Sequence, residues 1–123
     1  MRIMGFLRAN ADTEAGVMPT PEEMQRMDAF MQEVAAAGII ESTDGLTPSS
    51  RGKRIALSDG KYTVTDGPFP LREVSCAYAI YNVQSWEEAE RWTRRFLDVL
   101  GGGECELRPF FAPEDFAGAG AQS

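Results

Sequence analysis

An α+β fold made of two β-α-β units with a β-hairpin between them is predicted by three features of the 123-residue sequence. Two segments, beginning after Thr20 and Ser85, have the apolar spacing of amphipathic helices, and each follows a strand-like segment. Between these units, two alternating segments are joined by Asp59-Gly60, the dipeptide that favours a type I′ hairpin turn. This order indicates a ferredoxin-like sandwich with an inserted β-hairpin.

The first unit opens with a strand from Arg2 to Arg8 that carries apolar residues on both faces. The polar stretch from Asn10 to Pro19 is predicted to be a loop. A helix is expected to begin at Pro21, with Thr20 as its N-cap, and to end at Gly38. Its expected buried stripe comprises Met24, Met27, Phe30, Met31 and Val34.

The middle of the chain contains three predicted strands: Ile39 to Leu46, Lys53 to Ser58 and Lys61 to Thr65. The turn that follows, Asp66 to Pro70, contains two prolines, which hold it stiff.

The second unit begins with a strand from Val74 to Val83, which carries apolar residues on both faces and is placed in the centre of the sheet. Ser85 and Glu88 are expected to form a capping box, and three glycines end the helix. The expected stripe of this helix comprises Ala89, Trp92, Phe96, Val99 and Leu100. After a last strand from Glu104 to Phe110, residues 112–123 are expected to be a partly mobile tail, leaving residues 1–111 as a single domain.

Composition excludes several classes of protein. With 12 Lys+Arg against 19 Asp+Glu, the formal charge is -7, and no basic cluster is present to bind nucleic-acid phosphates. No apolar run reaches the roughly 20 residues of a membrane span, so no membrane is expected and a cytoplasmic location is predicted. The chain contains no His, which excludes Ser-His-Asp and Cys-His catalysis within one chain. Neither a metal nor another cofactor is expected, since no metal-ligand or phosphate-binding motif occurs.

The two cysteines, Cys76 and Cys105, are predicted to be free thiols. In a ferredoxin-like sheet they lie on strands that flank the first strand. This places them about 10 Å apart, beyond the reach of a disulfide.

A homodimer is predicted from the apolar character of both faces of the first and fifth strands. Two helices cover only one face of the sheet, and an exposed apolar face of that size promotes aggregation. A second copy of the chain, packed sheet against sheet, is the simplest cover.

Residues 44–50 (DGLTPSS) and 63–69 (TVTDGPF) resemble the DGPF-type branch of the YCII-related proteins. Further matches occur in the same order along the chain, including residues 15–19 (AGVMP) and 107–109 (LRP). The resemblance implies a dimeric α/β-barrel assembly of ferredoxin-like subunits, and it implies no known reaction. In the wider superfamily, a His near the start of the first helix and an Asp near its end are the proposed acid/base pair. Glu23 and Ala36 stand at these places here, so only a carboxylate at Glu23 carries over.

The first functional hypothesis is a dimeric small-molecule-binding protein or enzyme with a carboxylate-based acid/base site. Its pocket is expected between the sheet and the first helix or across the dimer seam, lined by Met4, Phe6 and Tyr78. The candidate catalytic residues are Glu23, Asp66 and Tyr78, since a carboxylate whose pKa is raised by apolar surroundings can transfer protons. The candidate substrate-binding residues are Asp44, Arg54 and Arg108.

Structural roles compete with these assignments. Asp66 is expected to cap its own turn by accepting backbone N–H bonds near Phe69, Glu23 favours the helix N-terminus, and Tyr78 fits a core aromatic. The second functional hypothesis is a non-catalytic interaction or regulatory module, because the resemblance implies an association with sigma-factor signalling. Two or more ionisable residues converging in a buried cavity favour the first hypothesis.

Overall fold

A computed structural model describes residues 1–120 of the chain, and it describes side chains up to residue 117. The strands and α-helices in chain order are β1 (Arg2–Arg8), α1 (Ala11–Glu14), α2 (Pro21–Ala37), β2 (Ile40–Gly45), β3 (Lys53–Ser58), β4 (Lys61–Asp66), β5 (Ser75–Asn82), α3 (Trp86–Leu100), β6 (Cys105–Pro109) and α4 (Pro113–Gly120). Two 3₁₀-helical turns lie between them, at Ser49–Arg51 and Leu71–Glu73.

Four strands form the main sheet in the order β2-β5-β1-β6, and each neighbouring pair is antiparallel. This topology confirms the predicted ferredoxin-like fold. β3 and β4 pair only with each other and form a separate two-stranded sheet. The strands that carry Cys76 and Cys105 flank β1, as predicted, and both thiols are free.

The core lies between the sheet and the two long helices. Its buried members are Ile3, Tyr81 and Val83 from the sheet side, Phe30, Val34 and Ile39 from α2 and the residues after it, and Ala89 from α3. Trp92 and Phe96 of α3 pack against this cluster. We call the face of the sheet that meets α2 and α3 the helix face, and the other face the open face. Met4 and Phe6 alternate with Ile3 along β1 and therefore lie on the open face.

Helix α2 begins and ends where the sequence predicts. Thr20 Oγ1 accepts a hydrogen bond from the Glu23 N–H at 3.2 Å, and Glu23 Oε1 accepts one from the Thr20 N–H at 3.0 Å. At the other end, Gly38 adopts the left-handed conformation with φ 69°. The prediction was wrong for Met24 and for Leu100 of α3, which are 49% and 39% exposed because they line a solvent-accessible groove together instead of entering the core.

Two local predictions need correction. The segment predicted as a loop contains the single helical turn α1, because Asn10 Oδ1 accepts a hydrogen bond from the Thr13 N–H, and Thr13 Oγ1 accepts one from the Asn10 N–H, both at 2.9 Å. At the start of α3, Ser85 Oγ accepts a hydrogen bond from the Glu88 N–H at 3.2 Å. Glu88 does not complete the capping box, so half of the predicted motif forms.

The β3-β4 hairpin has the predicted turn, since Asp59 and Gly60 have φ values of 51° and 74°. This confirms the expectation that both central residues of the turn take positive φ. All six residues of each strand are exposed to solvent.

The end of the chain contains the helix α4, which occupies most of the segment predicted as a partly mobile tail. Residues 121–123 of that tail lie outside the described residues, and its mobility stays a prediction. None of the helices in the described part of the chain is long and apolar enough to cross a membrane.

Candidate functional site

A cavity of about 50 Å³ lies between the helix face of the sheet and the helices α2 and α3. Three aromatic side chains from the helices, Phe30, Trp92 and Phe96, contribute to its wall. The centroid of the Phe30 ring lies 6.2 Å from that of Trp92 and 6.3 Å from that of Phe96. Both distances are within the range of favourable aromatic contacts. The cavity is therefore ring-lined and predominantly apolar.

Gly5, in the middle of β1, leaves space for the ring and hydroxyl of Tyr81 beside the cavity. A Cβ atom at Gly5 would lie 3.2 Å from the Tyr81 Oη and Cε2 atoms and 3.2 Å from Leu107 Cδ2. These distances are tighter than ordinary van der Waals contacts. Glycine at this position lets the Tyr81 ring lie directly over the strand, so that Tyr81 also lines the cavity.

The ionisable side chains that border the cavity are those of Tyr81 on β5 and Cys105 on β6. Burial raises the pKa of the Tyr81 hydroxyl above its ordinary value of 10.0, and the Thr93 hydroxyl offsets part of that increase. Burial likewise raises the pKa of the Cys105 thiol, and the Cys76 thiol adds to the effect. Tyr81 and Cys105 are thus protonated at neutral pH.

A protonated tyrosine and a protonated thiol define what this cavity can do chemically. The Tyr81 hydroxyl can donate a hydrogen bond to a ligand oxygen, and it carries no charge that would demand a cationic ligand. The Cys105 thiol is a weak nucleophile in this state, because the thiolate is the reactive form. No carboxylate belongs to the cavity wall among the described residues. These groups can hydrogen-bond an uncharged ligand, and they offer no charge to neutralise an ionic one.

The catalytic candidates from the sequence lie on different elements. Glu23 is fully exposed in the capping box of α2, where hydrogen bonds with the Thr20 backbone and side chain lower the pKa of its carboxyl. Asp66 is exposed at the end of β4. Tyr78 lies at the edge of the cavity but pairs with Phe6, so strand alternation turns its side chain to the open face, where its hydroxyl lies 3.1 Å from Ser42 Oγ. Neither Glu23 nor Asp66 contributes to the wall of the cavity.

The predicted cap by Asp66 was wrong. Asp66 Oδ1 accepts a hydrogen bond from Lys53 Nζ at 2.5 Å, across the first pair of the hairpin. The Phe69 N–H that was assigned to Asp66 donates instead to Ser49 Oγ at 3.0 Å. The antiparallel register places Lys53 opposite Asp66, so the Asp66 carboxylate forms an ion pair across the hairpin instead of capping the turn.

The substrate-binding candidates are each engaged with a neighbour. Asp44 Oδ1 accepts a hydrogen bond from the Gly45 N–H at 2.9 Å. The Arg54 guanidinium lies 4.0 Å from the centroid of the Phe69 ring and 2.8 Å from a Glu73 carboxylate oxygen.

Arg108, the third substrate-binding candidate, lies on β6 opposite Met4 and pairs with Glu106 at 3.6 Å. None of the three contributes to the wall of the cavity. Met4 and Phe6, which were expected to line the pocket, also lie outside it, because strand alternation turns them to the open face.

The sequence analysis did not identify a polar cluster formed by Glu14, Ser49 and the backbone of Phe69. The Glu14 carboxylate accepts hydrogen bonds from the Ser49 N–H, at 2.9 Å, and from the Ser49 hydroxyl, while Ser49 Oγ accepts the Phe69 N–H. Ser49 is buried, and a Cβ atom at Gly67 would overlap its carbonyl oxygen. This cluster joins α1 to the turn at residues 66–70, and it has a structural role.

Among the described residues, no three His, Cys, Asp or Glu side chains come together in a group that could hold a metal ion.

These observations define a class of protein: a ferredoxin-like α+β domain with an aromatic-lined cavity between its sheet and its helices. No protein-family model matches the chain, and no curated protein matches it. A solved structure with a similar fold is 5-chloro-2-hydroxyhydroquinone dehydrochlorinase (TftG) from Burkholderia phenoliruptrix AC1100, in complex with 2,5-dihydroxybenzoquinone. The similarity has a TM-score of 0.50 at 8% identity and covers 94% of this chain and 98% of that one. It agrees with the YCII-related resemblance at the level of the fold.

Proposed function

We propose that the chain is a homodimeric, cytoplasmic small-molecule-binding protein whose ligand occupies the cavity between the sheet and the helices. The observation that carries this proposal is the cavity itself, in which two ionisable groups, Tyr81 and Cys105, converge on an aromatic wall. Ligand sites in proteins are typically apolar pockets with a few polar groups that fix the orientation of the ligand.

The cavity walls define the expected ligand. The aromatic side chains of Phe30, Trp92 and Phe96 favour a flat ring, and the Tyr81 hydroxyl offers a hydrogen bond to one oxygen of that ring. The structural neighbour is described in complex with 2,5-dihydroxybenzoquinone, which is a small ring of this kind. We therefore propose a neutral or weakly acidic aromatic or quinoid compound as the ligand class; a cavity of about 150 Å³ accommodates benzene, so the cavity of about 50 Å³ must widen when a ring binds.

A reaction on this ligand would use the groups at the cavity rather than the carboxylates that the sequence suggested. Both carboxylates are exposed and already hydrogen-bonded: Glu23 accepts a hydrogen bond from Thr20, and Asp66 accepts one from Lys53. The protonated Tyr81 hydroxyl is the group that can stabilise negative charge developing on a ligand oxygen. Tyr81 thus replaces Glu23 and Asp66 as the proposed centre of any chemistry.

Binding is tested with 4-fluorophenol, a compact ring with one hydroxyl, in a fluorine NMR titration of the purified protein. We expect a saturable change that Ala79→Val weakens by at least about tenfold, because Ala79 lines the cavity and two added methyl groups reduce the space. Ala56→Val is the matched control, since Ala56 lies on the exposed hairpin. Thermal melting verifies that both variants fold.

Two results would contradict the proposal: a parent protein that gives no saturable change, or an Ala79→Val protein that binds the probe as tightly as Ala56→Val. Tyr81→Phe then tests the polar contact. It keeps the ring and removes only the hydroxyl, so we expect weaker binding of 4-fluorophenol with unchanged binding of fluorobenzene.

The alternative hypothesis, a non-catalytic interaction module, needs an exposed apolar surface instead of an occupied cavity. The β3-β4 hairpin provides such a surface, as its strands are exposed throughout. A cavity that binds no probe, together with a hairpin that binds another protein, would favour this second function.

A further inference from the structure

The β3-β4 hairpin presents four large apolar side chains to solvent on one of its faces. Ile55 pairs with Val64 and Leu57 with Tyr62, so strand alternation places all four on the same face. They are between 59% and 73% exposed. The other face carries Arg54, Ala56, Thr63 and Thr65, which are small or polar. We call residues 51–66 the hairpin arm and its Ile55-Leu57-Tyr62-Val64 side the apolar face of the arm.

A two-stranded hairpin is marginally stable in water unless its apolar side packs against something. Every residue of β3 and β4 is exposed, so the described part of the chain does not supply that contact. A contiguous apolar surface of this kind marks an interaction site.

We propose that the hairpin arm docks its apolar face onto a second copy of this chain and forms part of the homodimer interface. The proposal rests on the homodimer named above, and it adds a second contact surface to the open face of the sheet. Interface area is the first argument for this occupant.

The open face alone is too small for a stable dimer. Four strands about 4.8 Å apart and roughly 20 Å long give on the order of 400 Å². A standard interface buries about 800 Å² on each partner. The arm's face adds about 200 Å² by the same geometry, and the partner's arm covers a similar area in return. In a twofold dimer the arm of each protomer packs on the other protomer, which brings the area buried on each partner to about 800 Å².

Charge complementarity is the second argument. Residues 51–66 carry four Lys or Arg residues and two Asp residues, a net charge of +2. The whole chain carries -7, which leaves -9 on the remaining residues. The arm of one protomer is thus opposite in sign to the body of the other, so docking the arm reduces the repulsion between two acidic chains.

The test compares charged substitutions on the two faces of the arm by sedimentation velocity, at concentrations spanning about 0.1 to 100 µM. Leu57→Lys and Val64→Lys place a charge on the apolar face, and Ala56→Lys and Thr63→Lys place the same charge on the opposite face of the same hairpin. All four positions are exposed, so none of the substitutions disturbs the core.

We expect the apolar-face variants to raise the dimer dissociation constant by at least about tenfold, because they bury an unpaired charge. The opposite-face variants should stay within about twofold of the parent. Equal dissociation constants for Leu57→Lys and Thr63→Lys would overturn the arm proposal and leave the homodimer standing. A parent that is monomeric throughout would overturn both, while binding of 4-fluorophenol to that monomer would leave the ligand proposal intact.

Discussion

At the scale of single residues, the turn at residues 66–70 is held by Ser49. This side chain accepts the Phe69 N–H and donates to the Glu14 carboxylate. One buried hydroxyl therefore joins three parts of the chain: α1, the turn after Pro48 and the turn after β4. Asp66, the more prominent residue in the sequence, forms an ion pair with Lys53 on the neighbouring strand.

Replacing Ser49 by Ala leaves the partly buried Phe69 N–H without its acceptor. We expect the free energy of unfolding to fall by about 1–3 kcal/mol, the usual cost of an unsatisfied buried polar group. Ser50→Ala is the matched control at an exposed position, and it should change stability by no more than about 0.5 kcal/mol. Urea unfolding measures both variants. Equal stabilities for the two variants would mean that water replaces the hydroxyl.

Replacing Asp66 tests the corrected role of this residue. Both Asp66 and Lys53 have side chains that are more than 60% exposed, and exposed ion pairs contribute little. We expect Asp66→Asn and Asp66→Ala to cost less than about 1 kcal/mol each and to differ little from each other. A capping residue would behave differently, since Asn keeps an acceptor and Ala does not. An Ala variant that is much less stable than the Asn variant in urea unfolding would restore the capping role.

At the scale of elements, the N-terminus of α2 is fixed by the reciprocal hydrogen bonds between Thr20 and Glu23. These bonds lower the pKa of the Glu23 carboxyl below its ordinary value of 4.5. A carboxyl whose pKa is depressed in the folded state contributes stability above its unfolded pKa, and that contribution disappears as the pH falls through the folded pKa.

The capping box therefore predicts a pH-dependent difference between the parent and Glu23→Gln. At neutral pH the parent should be the more stable protein, and the difference should shrink as the pH falls below 4.5 and through the lowered pKa of Glu23 in the folded protein. Urea unfolding at several pH values measures this difference. Glu22→Gln provides the control, because Glu22 shares the first turn without the reciprocal bonds to Thr20. A difference for Glu23→Gln that stays constant with pH would contradict the prediction.

Elements were predictable from the sequence wherever local chemistry determines them. Thr20, Pro21 and Gly38 define α2, and Asp59-Gly60 defines the hairpin turn, because caps and turns depend on residues adjacent in the chain. The short helix α1 was missed, although its Asn10-to-Thr13 spacing is a recognisable cap. That signal is weak, since a single helical turn buries no apolar stripe.

The candidate site was less predictable because it depends on contacts between distant segments. Tyr81 enters the cavity over Gly5, and Cys105 reaches it from the last strand. The glycine within the apolar strand β1 was the available signal, since an interior strand glycine marks close approach of another group. The carboxylates were favoured instead because their residue types suggest chemistry, whereas their burial depends on the complete fold.

At the scale of the whole molecule, the two proposed functions, ligand binding and dimerisation, use opposite faces of one sheet. The helix face contains the ring-lined cavity, and the open face carries Met4, Phe6 and Ile80, which are half-buried in the single chain. Separation of the two faces means that dimerisation and ligand binding can be perturbed independently. A variant on the open face should change assembly without entering the cavity.

Ile80→Lys tests this separation. Ile80 lies on the open face, two residues from Tyr78 on β5 and opposite Met4 on β1, so a charge there would be buried between the two sheets of the proposed dimer. We expect the variant to be monomeric at about 10 µM, a concentration at which the parent is dimeric, and to retain the parent's affinity for 4-fluorophenol. Light scattering on a sizing column measures the mass. Leu100→Lys is the matched control, because Leu100 is also apolar and lies at the end of α3, and it should leave the dimer intact. An Ile80→Lys protein with the parent's mass would exclude the open face as the interface, and loss of probe binding in a folded monomer would show that the cavity depends on the partner.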